Sequence, residues 1–326
     1  MSVDVSIIIV NWNTGDLLRG CLNSVLQLTS KISFEIIVID NASTDRSGDI
    51  AAREFGQVIL VRNSVNNGFA AANNQGIRLA RGRYILCLNP DTVILSDAIG
   101  KVVAFADKHP EAAVIGCKVL NPDGTLQPTC FMYPSLLNLF LSSTYLYKIF
   151  PRSRFFGREF MGWWQRDTVE EVDVVTGCFM LVRREAIDQV GLLDERFFVY
   201  GEETDWCYRF KRAGWKILFY PDAQIIHYGG QSTKQLATEM CLQLRGSILQ
   251  FIRKHKSKPE FVLACLLMWF FFSIRLPFWA THYVLSRSPD SKRISRTYLK
   301  GMWRLPYYGV DGLCAKNRAA CGPSRS

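Results

Sequence analysis

The chain has 326 residues, of which 48% are hydrophobic, and a formal net charge of +10. This length is sufficient for one large α/β domain with appendages or for two small domains. Its cysteines form no CxxC pair and its four histidines lack zinc-finger spacing, which argues against a structural zinc module. The N-terminus has no basic region before its short apolar run, so we expect no secretory signal, and a reducing compartment with mostly buried free thiols.

The positive charge is confined to the C-terminal part of the chain. Residues 251–326 hold 14 Lys and Arg against 3 Asp and Glu, a net charge of +11, whereas residues 1–250 hold 25 against 26. A nucleic-acid-binding protein would carry basic residues on its folded body, so nucleic acid is not expected as a partner. The distribution predicts a neutral globular body with a basic C-terminal segment.

Strands and helices alternate along the first 120 residues of the chain. Continuous apolar and β-branched runs predict strands at residues 5–10, 36–39, 58–61, 84–88 and 114–117. Helical spacing of apolar residues predicts helices at residues 17–26, 49–55, 68–81 and 96–108, with Gly82 and Ser96 as caps. This alternation predicts an α/β fold with a mostly parallel sheet flanked by helices. Such sheets bind ligands at the carboxyl ends of their strands.

Polar residues follow three of the predicted strands: Asn11, Asp40 and the tripeptide Asn89-Pro90-Asp91. An Asn-Pro-Asp tripeptide alone is more often an ordinary turn. Its position after the fourth strand favours a carboxylate that holds Mg²⁺ or Mn²⁺ against a diphosphate. The chain contains neither GxGxxG nor GxxxxGK[ST], which argues against dinucleotide oxidoreductases and P-loop nucleotidases.

Three acids, Glu202, Glu203 and Asp205, open a predicted helix that ends at Gly214. Acids in a first turn also stabilise a helix through its dipole, which is the simpler explanation. The aromatic run FFVY at residues 197–200 precedes the acids and suggests that they line a pocket. Burial and packed like charges raise the pKa of a carboxyl group, which suits a general base.

A single histidine, His227, follows an apolar strand-like run and precedes Gly229 and Gly230. A lone histidine in such a place is more often structural. Its position after a strand nevertheless makes it a candidate for binding a ligand or a metal through a ring nitrogen.

Residues 261–285 form the most hydrophobic stretch of the chain. Arg275 and Pro277 interrupt it, which makes a regular span of ~20 apolar residues doubtful. Basic residues flank it on both sides, namely Arg253, Lys254, Lys256, Lys258, Arg287, Lys292, Arg293 and Arg296. We predict a helix or helical hairpin in the interface of an anionic membrane, with its basic residues at the headgroups. The alternative is a buried core helix with a solvated tail.

Five segments, in this order along the chain, resemble the family 2 glycosyltransferases of the GT-A fold, and more closely their rhamnosyltransferase-like branch. The segments are VSIIIVNWN (5–13), EIIVIDNASTD (35–45), NNGFAAANNQGIRLARGRYILCLNPD (66–91), TGCFMLVRREAIDQVGLLDERFFVYGEETDWCYR (176–209) and IIHYGGQS (225–232). The resemblance covers roughly residues 3–235. We therefore predict a GT-A catalytic domain at residues 1–245 and a membrane-associating extension at residues 246–326.

The resemblance implies roles for the matched donor-side positions. Asn11 and Asp40 would contact the base and ribose of a nucleotide-sugar donor, and Asn66 and Gly68 would lie near the nucleotide. The segment Asn89-Pro90-Asp91 stands for the family's DxD motif, with Asn89 in place of the first acid. Asp91 would be the metal-binding acid, and the metal would be Mg²⁺ or Mn²⁺.

The resemblance also implies the catalytic base. Glu202 and Glu203 stand where the family usually has Glu-Asp, and the second position deprotonates the acceptor hydroxyl. Glu203 is therefore the predicted base and Asp205 its substitute, although a glutamate is one methylene longer than the usual aspartate. His227 matches a histidine that completes the metal site in related enzymes.

The implied reaction is a single displacement that inverts the configuration of the transferred sugar. The best guess for the donor is dTDP-L-rhamnose, and for the acceptor a lipid-linked or polysaccharide glycan of the cell envelope. Nothing at Asn11 or Asp40 separates thymine from uracil, so a UDP-hexose donor stays open. A non-catalytic nucleotide-sugar-binding subunit is a further alternative. Nucleotide sugars are made in the cytoplasm, so we expect the protein at the cytoplasmic face of a membrane.

Residues 152–166 interleave arginines with aromatic residues, namely Arg152, Arg154, Arg158 and Arg166 with Phe155, Phe156, Phe160, Trp163 and Trp164. Arginine recognises phosphate, and aromatic faces stack on sugar rings. We predict a mobile loop over a lipid-diphosphate acceptor. A partly exposed packing segment is an equal alternative.

Overall fold

The computed structural model describes residues 3–230 and 237–304, without the side chains of residues 237–239. Within these ranges, a mixed sheet of ten strands forms the centre of the N-terminal part. Its strands are β1 (Val5–Asn11), β2 (Phe34–Asp40), β3 (Ile59–Arg62), β4 (Tyr84–Leu88), β5 (Thr92–Leu95), β6 (Ala112–Leu120), β7 (Leu126–Gln127), β9 (Glu170–Glu171), β11 (Phe179–Arg183) and β12 (Lys216–His227). A separate small sheet pairs β8 (Cys130–Phe131) with β10 (Val174–Val175).

Helices flank the large sheet, and further helices follow it along the chain. Those of the N-terminal part are α1 (Gly15–Leu28), α2 (Ser47–Glu54), α3 (Phe69–Leu79), α4 (Ala98–Lys108), α5 (Leu136–Ser143), α6 (Leu146–Ile149), α7 (Arg184–Val190) and α8 (Glu202–Arg212). The C-terminal helices are α9 (Ala237–His255), α10 (Lys258–Ser286) and α11 (Pro289–Arg304).

The sheet has the order β3-β2-β1-β4-β11-β6-β12-β5. The first four strands are mutually parallel, β11 runs antiparallel between β4 and β6, and β12 is parallel to β6. All five predicted strands are present, and the predicted α/β class with a mostly parallel sheet is confirmed. Because β1 lies between β2 and β4, the chain order reverses there, which opens a crevice at the carboxyl ends of these strands.

Strand β1 shows why an uninterrupted apolar run, Ile7 to Val10, lies within its sequence. Ile7 and Ile9 belong to the core on one face of the sheet, whereas Ile8 and Val10 belong to the core on the other. A strand covered on both faces needs apolar residues on both sides, because successive side chains point to opposite sides. The buried Ser6 is the polar exception, and its hydroxyl is hydrogen-bonded to Glu35 and to the amides of Arg81 and Gly82.

Two predicted helix caps were wrong. Helix α4 is capped by Asp97, whose carboxylate accepts a hydrogen bond from the Gly100 amide, and not by Ser96. Helix α3 ends before Gly82, and that glycine serves a different purpose. A Cβ at Gly82 would lie 2.5 Å from the Ser6 amide nitrogen, so the missing side chain lets two backbone segments approach closely.

Helix α10 runs without interruption through Pro277. Within the described ranges it is the one helix long and apolar enough to cross a membrane, with a mean hydropathy of 2.0 over its most apolar window. Only 28% of that window is buried, unlike the core helix of a soluble protein. Its outward side chains are large and apolar, among them Val262, Leu266, Trp269, Phe270, Ile274 and Phe278.

Arg275 does not interrupt the apolar outer face of α10, as its sequence position suggested. Its side chain is 3% exposed and turns inward, where the guanidinium donates to the carbonyl oxygens of Ser142 at 2.7 Å and Ser143 at 3.0 Å. It also stacks over the rings of Tyr145 and Phe271. It fastens α10 to the end of α5.

The C-terminal helices are joined to the N-terminal part by a shared core and by buried charges. Apolar side chains of α9 and α10 pack around Leu139 and Phe197. The carboxylate of Asp205, which is fully buried, lies 2.6 Å from the Lys254 amine.

Residue 245, proposed as a domain boundary, lies inside α9, so a division of the chain there would cut this helix.

We expect the substitution Lys254→Met to destabilise the fold, because it leaves the buried Asp205 without its amine partner. Breaking a buried ion pair on one side costs about 3 kcal/mol. Urea unfolding of the full chain in mild detergent measures the loss. The substitution Arg253→Met on the exposed side of the same helix is the matched control, and it should leave the midpoint unchanged. Equal midpoints for the two variants would contradict the role given to this pair.

Candidate active site

A cavity of about 410 Å³ opens at the carboxyl ends of β4 and β12. Its lining includes predicted site residues together with the segment that precedes α8: Asn89, Pro90, Asp91, Gln127, Pro128, Thr129, Val199, Tyr200, Glu202, Glu203, His227, Gly229 and Gly230. Acids from α8 and the histidine at the end of β12 therefore face one space. Gln231 and Ser232, the last residues of the segment IIHYGGQS, lie outside the described residues.

Asp91 and His227 lie side by side on one wall of the cavity. Their proximity follows from the strand pairing, because His227 is the register partner of Thr92 where β12 meets β5. The His227 Nε2 atom lies 3.2 Å from the Asp91 carboxylate and 3.3 Å from the Asn89 amide nitrogen. The structure thus brings together the side chains of Asn89, Asp91 and His227.

The surroundings of His227 suit a divalent metal. Its Nδ1 atom lies 2.6 Å from the Gln127 side-chain oxygen, which only accepts hydrogen bonds, so Nδ1 carries the proton and donates. The Nε2 atom faces both the Asp91 carboxylate and the Asn89 amide. An imidazole nitrogen beside a carboxylate is a ligand pair that suits a divalent cation, and a hydrogen bond on the far ring nitrogen orients a metal-binding histidine.

The number of protein ligands also suits Mg²⁺ or Mn²⁺. Among the described residues, no group of three or more His, Cys, Asp and Glu side chains forms a closed metal site. Asp91 and His227 would hold the metal from the protein side, and diphosphate and water oxygens would complete its ligands. Mg²⁺ is usually held by one or two protein side chains together with substrate phosphates and water, and Mn²⁺ prefers similar oxygen ligands.

Glu202 and Glu203 lie in the first turn of α8 on another wall of the cavity. Gly201 precedes them with a φ of 88°, a left-handed conformation that suits glycine and starts the helix abruptly. The Oε2 atom of each glutamate is buried without a hydrogen-bond partner among the described residues. Unpartnered buried carboxyl oxygens at a cavity wall are placed to receive a hydroxyl group of a ligand.

The two glutamates differ in how they hold a proton. Burial and the charge of Glu203 raise the pKa of Glu202 well above its ordinary value. Burial also raises the pKa of Glu203, but backbone hydrogen bonds and a hydrogen bond from Glu202 oppose this. Burial therefore raises the pKa of both acids, and one proton held by the pair relieves the repulsion between their charges.

Asp205, the predicted substitute base, does not line the cavity. One of its carboxylate oxygens accepts hydrogen bonds from Lys254 and His255, and the other accepts from Arg209 at 2.8 Å. Burial alone would raise the pKa of Asp205, but these partners lower it. Since both oxygens are engaged away from the cavity, the structure contradicts a role as proton acceptor.

The predicted nucleotide-side residues form a group beside the cavity rather than in its wall. Asn11 and Asp40 are register partners at the carboxyl ends of β1 and β2, and the Asn11 amide donates to Ser43 at 3.0 Å. Asn66 and Gly68 both accept hydrogen bonds from one side chain, that of Asn41. The group borders the cavity through Val10 and Phe69.

Three contributors were missed by sequence reasoning. Asn41 and Ser43 lie within the segment EIIVIDNASTD, so their presence there was a usable signal. Gln127, which orients His227, follows an irregular stretch and had no signal of its own.

Gly68 carries a structural requirement that the sequence did not show. Its φ is 85°, and a Cβ there would lie 2.5 Å from the Phe198 carbonyl oxygen. The amide of Phe69 donates to that same carbonyl at 2.7 Å. The start of α3 is thereby fixed to the aromatic run that leads into the acids of α8.

The aromatic segment at residues 152–166 divides into two kinds of arginine. Arg166 is buried, and its guanidinium donates to four backbone carbonyl oxygens, those of Cys130, Phe160, Met161 and Trp164. Its predicted contact with an acceptor was therefore wrong, because it holds the segment together. Arg152 and Arg154 are exposed and stay candidates for such a contact.

Comparison with known proteins agrees with this architecture. The model of glycosyl transferase family 2 matches residues 6–191, more than half of the chain. The chain is 28% identical over 242 residues to the N-acetylglucosaminyl-diphospho-decaprenol L-rhamnosyltransferase of Mycobacterium tuberculosis, covering 70% of this chain and 76% of the relative.

Two solved structures share the fold at low sequence identity. One is the mannosyltransferase PcManGT from Pyrobaculum calidifontis in complex with GDP-Man and Mn²⁺, with a TM-score of 0.56 and 13% identity, covering 95% of this chain and 88% of the other. The other is GalNAc-T7 with UDP, GalNAc and Mn²⁺, with a TM-score of 0.56 and 16% identity. The match covers 98% of this chain and 58% of the other.

The sheet, with acids and a histidine gathered at its carboxyl edge, defines a glycosyltransferase of the GT-A fold. The chain belongs to glycosyl transferase family 2, in its rhamnosyltransferase-like branch.

We expect the acid limb of the pH profile of kcat/KM to lie above the ordinary glutamate value of about 4.3. The base must be ionised, and the raised pKa of Glu203 means that activity falls as the pH falls through that raised value. Glu202→Leu removes the hydrogen bond to Glu203 and should move the limb to higher pH. Glu202→Gln keeps a hydrogen-bond donor beside Glu203 and should leave the acid limb at its wild-type pH. An acid limb at the wild-type pH in Glu202→Leu would contradict the hydrogen bond between Glu202 and Glu203.

Proposed function

We propose that the protein is an inverting, metal-dependent glycosyltransferase that moves L-rhamnose from dTDP-L-rhamnose onto a lipid-linked glycan at the cytoplasmic face of a membrane. The observation that carries the proposal is the single cavity faced by the acid pair Glu202 and Glu203 and by the pair Asp91 and His227. One pair suits proton transfer from an acceptor hydroxyl, and the other suits a metal-bound diphosphate.

The proposed mechanism assigns a task to each wall of the cavity. Asp91 and His227 would hold Mg²⁺ or Mn²⁺, which supplies positive charge against the diphosphate leaving group. Glu203 takes the proton of the acceptor hydroxyl at a carboxylate oxygen, while Glu202 stays protonated beside it. The oxygen attacks the anomeric carbon from the face opposite the diphosphate. One displacement inverts the configuration and needs no covalent intermediate.

The comparisons support the parts of this proposal to different degrees. The Mycobacterium tuberculosis relative is named as an L-rhamnosyltransferase for a diphospho-decaprenol substrate, which supports the sugar and the lipid-linked acceptor. Both structures of the same fold were solved with Mn²⁺, which supports the metal. A UDP-hexose donor is the second candidate, because nothing at Asn11 or Asp40 selects the base. A non-catalytic subunit is disfavoured, since Asp91, Glu203 and His227 all face the cavity.

Helix α10 supports the proposed location. Its outer face carries large exposed apolar side chains, and its inner face packs on α5 and α9 through Met268, Phe271 and Phe272. A lipid-linked acceptor stays in the bilayer, so the active site has to work at the membrane surface. A helix in the interface would hold it there.

We expect Glu203→Gln to lower kcat by about 10²–10⁴ with little change in donor KM, because it removes the base and keeps its size. The assay supplies labelled nucleotide sugars to membranes with the full-length protein and identifies the labelled lipid. Rhamnose transfer from dTDP-L-rhamnose is the expected result, and Glu185→Gln at an exposed position is the matched control.

Two outcomes of this assay would change the proposal. Transfer only from UDP-hexoses would favour the second donor. An active Glu203→Gln beside an inactive Glu202→Gln would reverse the roles of the two acids.

We expect Asp91→Asn to weaken Mn²⁺ binding in the presence of dTDP by at least about tenfold, because it removes one of two protein ligands. Electron paramagnetic resonance of free Mn²⁺ measures the binding without any turnover. Asp188→Asn, at an exposed position on α7, is the control for loss of one negative charge. Wild-type affinity in Asp91→Asn, or full activity of the wild type in excess EDTA, would refute the metal site.

A further inference from the structure

Helix α11 is divided lengthwise into a buried and a cationic face. Ser291, Thr297 and Gly301 are buried against the rest of the C-terminal helices. Lys292, Arg293, Arg296 and Lys300 are exposed and recur at spacings that place them on one face of a helix. The cationic face therefore points away from the protein.

These four side chains surround a common space. Together with Pro289 they line a cavity of about 260 Å³. Within the described parts of the chain, Arg293 is the only one of the four that forms a salt bridge, and its partner is Asp290 at 3.0 Å. Three cations thus converge with no acidic partner in the described structure, an arrangement that is electrostatically complementary to an anion.

The rim of the cationic face is apolar. Trp303 is 76% exposed and Leu299 is 46% exposed, and neither packs into a core. Tryptophan and leucine beside lysines and arginines are typical of helices that lie in a membrane interface, where aromatic rings sit at the headgroup level. A soluble anion would give these two apolar side chains no favourable contact.

The orientation of α11 relative to α10 is fixed by a close contact. A Cβ at Gly301 would collide with the Phe272 ring, so the two helices meet with no room for a side chain. Ser291 on α11 also bonds the His282 ring of α10 at 2.7 Å. The cationic face therefore keeps a fixed position beside the apolar outer face of α10.

We infer that the cavity formed by Lys292, Arg293, Arg296 and Lys300 binds the phosphate of an anionic lipid headgroup, with α11 lying flat on the membrane surface. This inference deepens the proposed function and rests on its membrane location. It assigns the anionic contact to one face of one helix. The catalytic cavity takes no part in it.

The test compares two triple variants of the full-length protein. Lys292→Gln, Arg296→Gln and Lys300→Gln together remove the three cations that lack an acidic partner and leave the Arg293–Asp290 pair. Arg46→Gln, Arg53→Gln and Lys108→Gln together remove three exposed cations of the N-terminal part. Both proteins are floated with phosphatidylcholine vesicles that contain or lack phosphatidylglycerol.

We expect the α11 variant to bind the phosphatidylglycerol vesicles about 100-fold more weakly than the wild type, since each basic residue near an anionic surface adds ~1 kcal/mol. The N-terminal variant should bind like the wild type. All three proteins should bind phosphatidylcholine vesicles equally, through α10. Two results with the variants would overturn the inference: wild-type binding by the α11 variant, or equal losses of binding in both variants. Displacement of the wild-type protein from the vesicles by inorganic phosphate or RNA at matched ionic strength would also overturn it.

A parallel assay separates failure of this inference from failure of the proposed function. Transfer to a short-chain acceptor analogue dispersed in detergent needs no vesicle. The α11 variant should retain wild-type kcat there, because none of its altered residues faces the catalytic cavity. Full transfer without a binding difference would reject only the lipid site. No transfer by the wild type to any acceptor would reject the proposed function, whatever the vesicles show.

Discussion

The carboxylate of Asp205 is the interaction on which the arrangement of the two parts of this molecule depends. It is fully buried and accepts hydrogen bonds from Arg209 on its own helix and from Lys254 and His255 on α9. Lys254 also reaches Asp194 at 2.7 Å. A buried charge is tolerated only where its partners are held in place, so α8 and the end of α9 have one relative position. Because α8 begins with the acid pair of the active site, that position also sets one wall of the catalytic cavity.

Much of the fold follows from local sequence signals. Strands such as β1 are apolar on both of their alternating faces because both faces of the sheet are covered, and this pattern differs from that of an exposed strand. The carboxyl ends of such strands lie at one edge, so the proximity of Asn11 to Asp40, and the site after β4 at Asp91, could be foreseen. His227 was recognised through a family resemblance, and its contact with Asp91 depends on the antiparallel pairing of β12 with β5, which no local pattern shows.

The parts that could not be predicted depend on long-range packing. Asp205 and Glu203 look equivalent in the sequence, because both are acids in the same helical turn. Only the position of α9 shows that one is enclosed by cations while the other faces the cavity. Arg275 posed the same difficulty, since a charge within an apolar stretch reads as a break. Its guanidinium instead donates to the carbonyl oxygens of Ser142 and Ser143 at the end of α5, where the last turn of a helix lacks its regular intrahelical donors.

The same packing links the C-terminal helices to the candidate active site. Ser247 on α9 lies against the turn that carries the acids: a Cβ at Gly201 would lie 3.1 Å from its side chain, and its hydroxyl donates to the Val199 carbonyl at 3.4 Å. Helix α9 therefore contacts α8 at both the start of the acid turn and the Asp205 carboxylate. Helix α9 also packs against α10 and α11, so these helices and the turn that carries Glu203 contact the same helix. In this molecule, the helices proposed to meet a lipid surface and the glutamate proposed as proton acceptor belong to one packed unit.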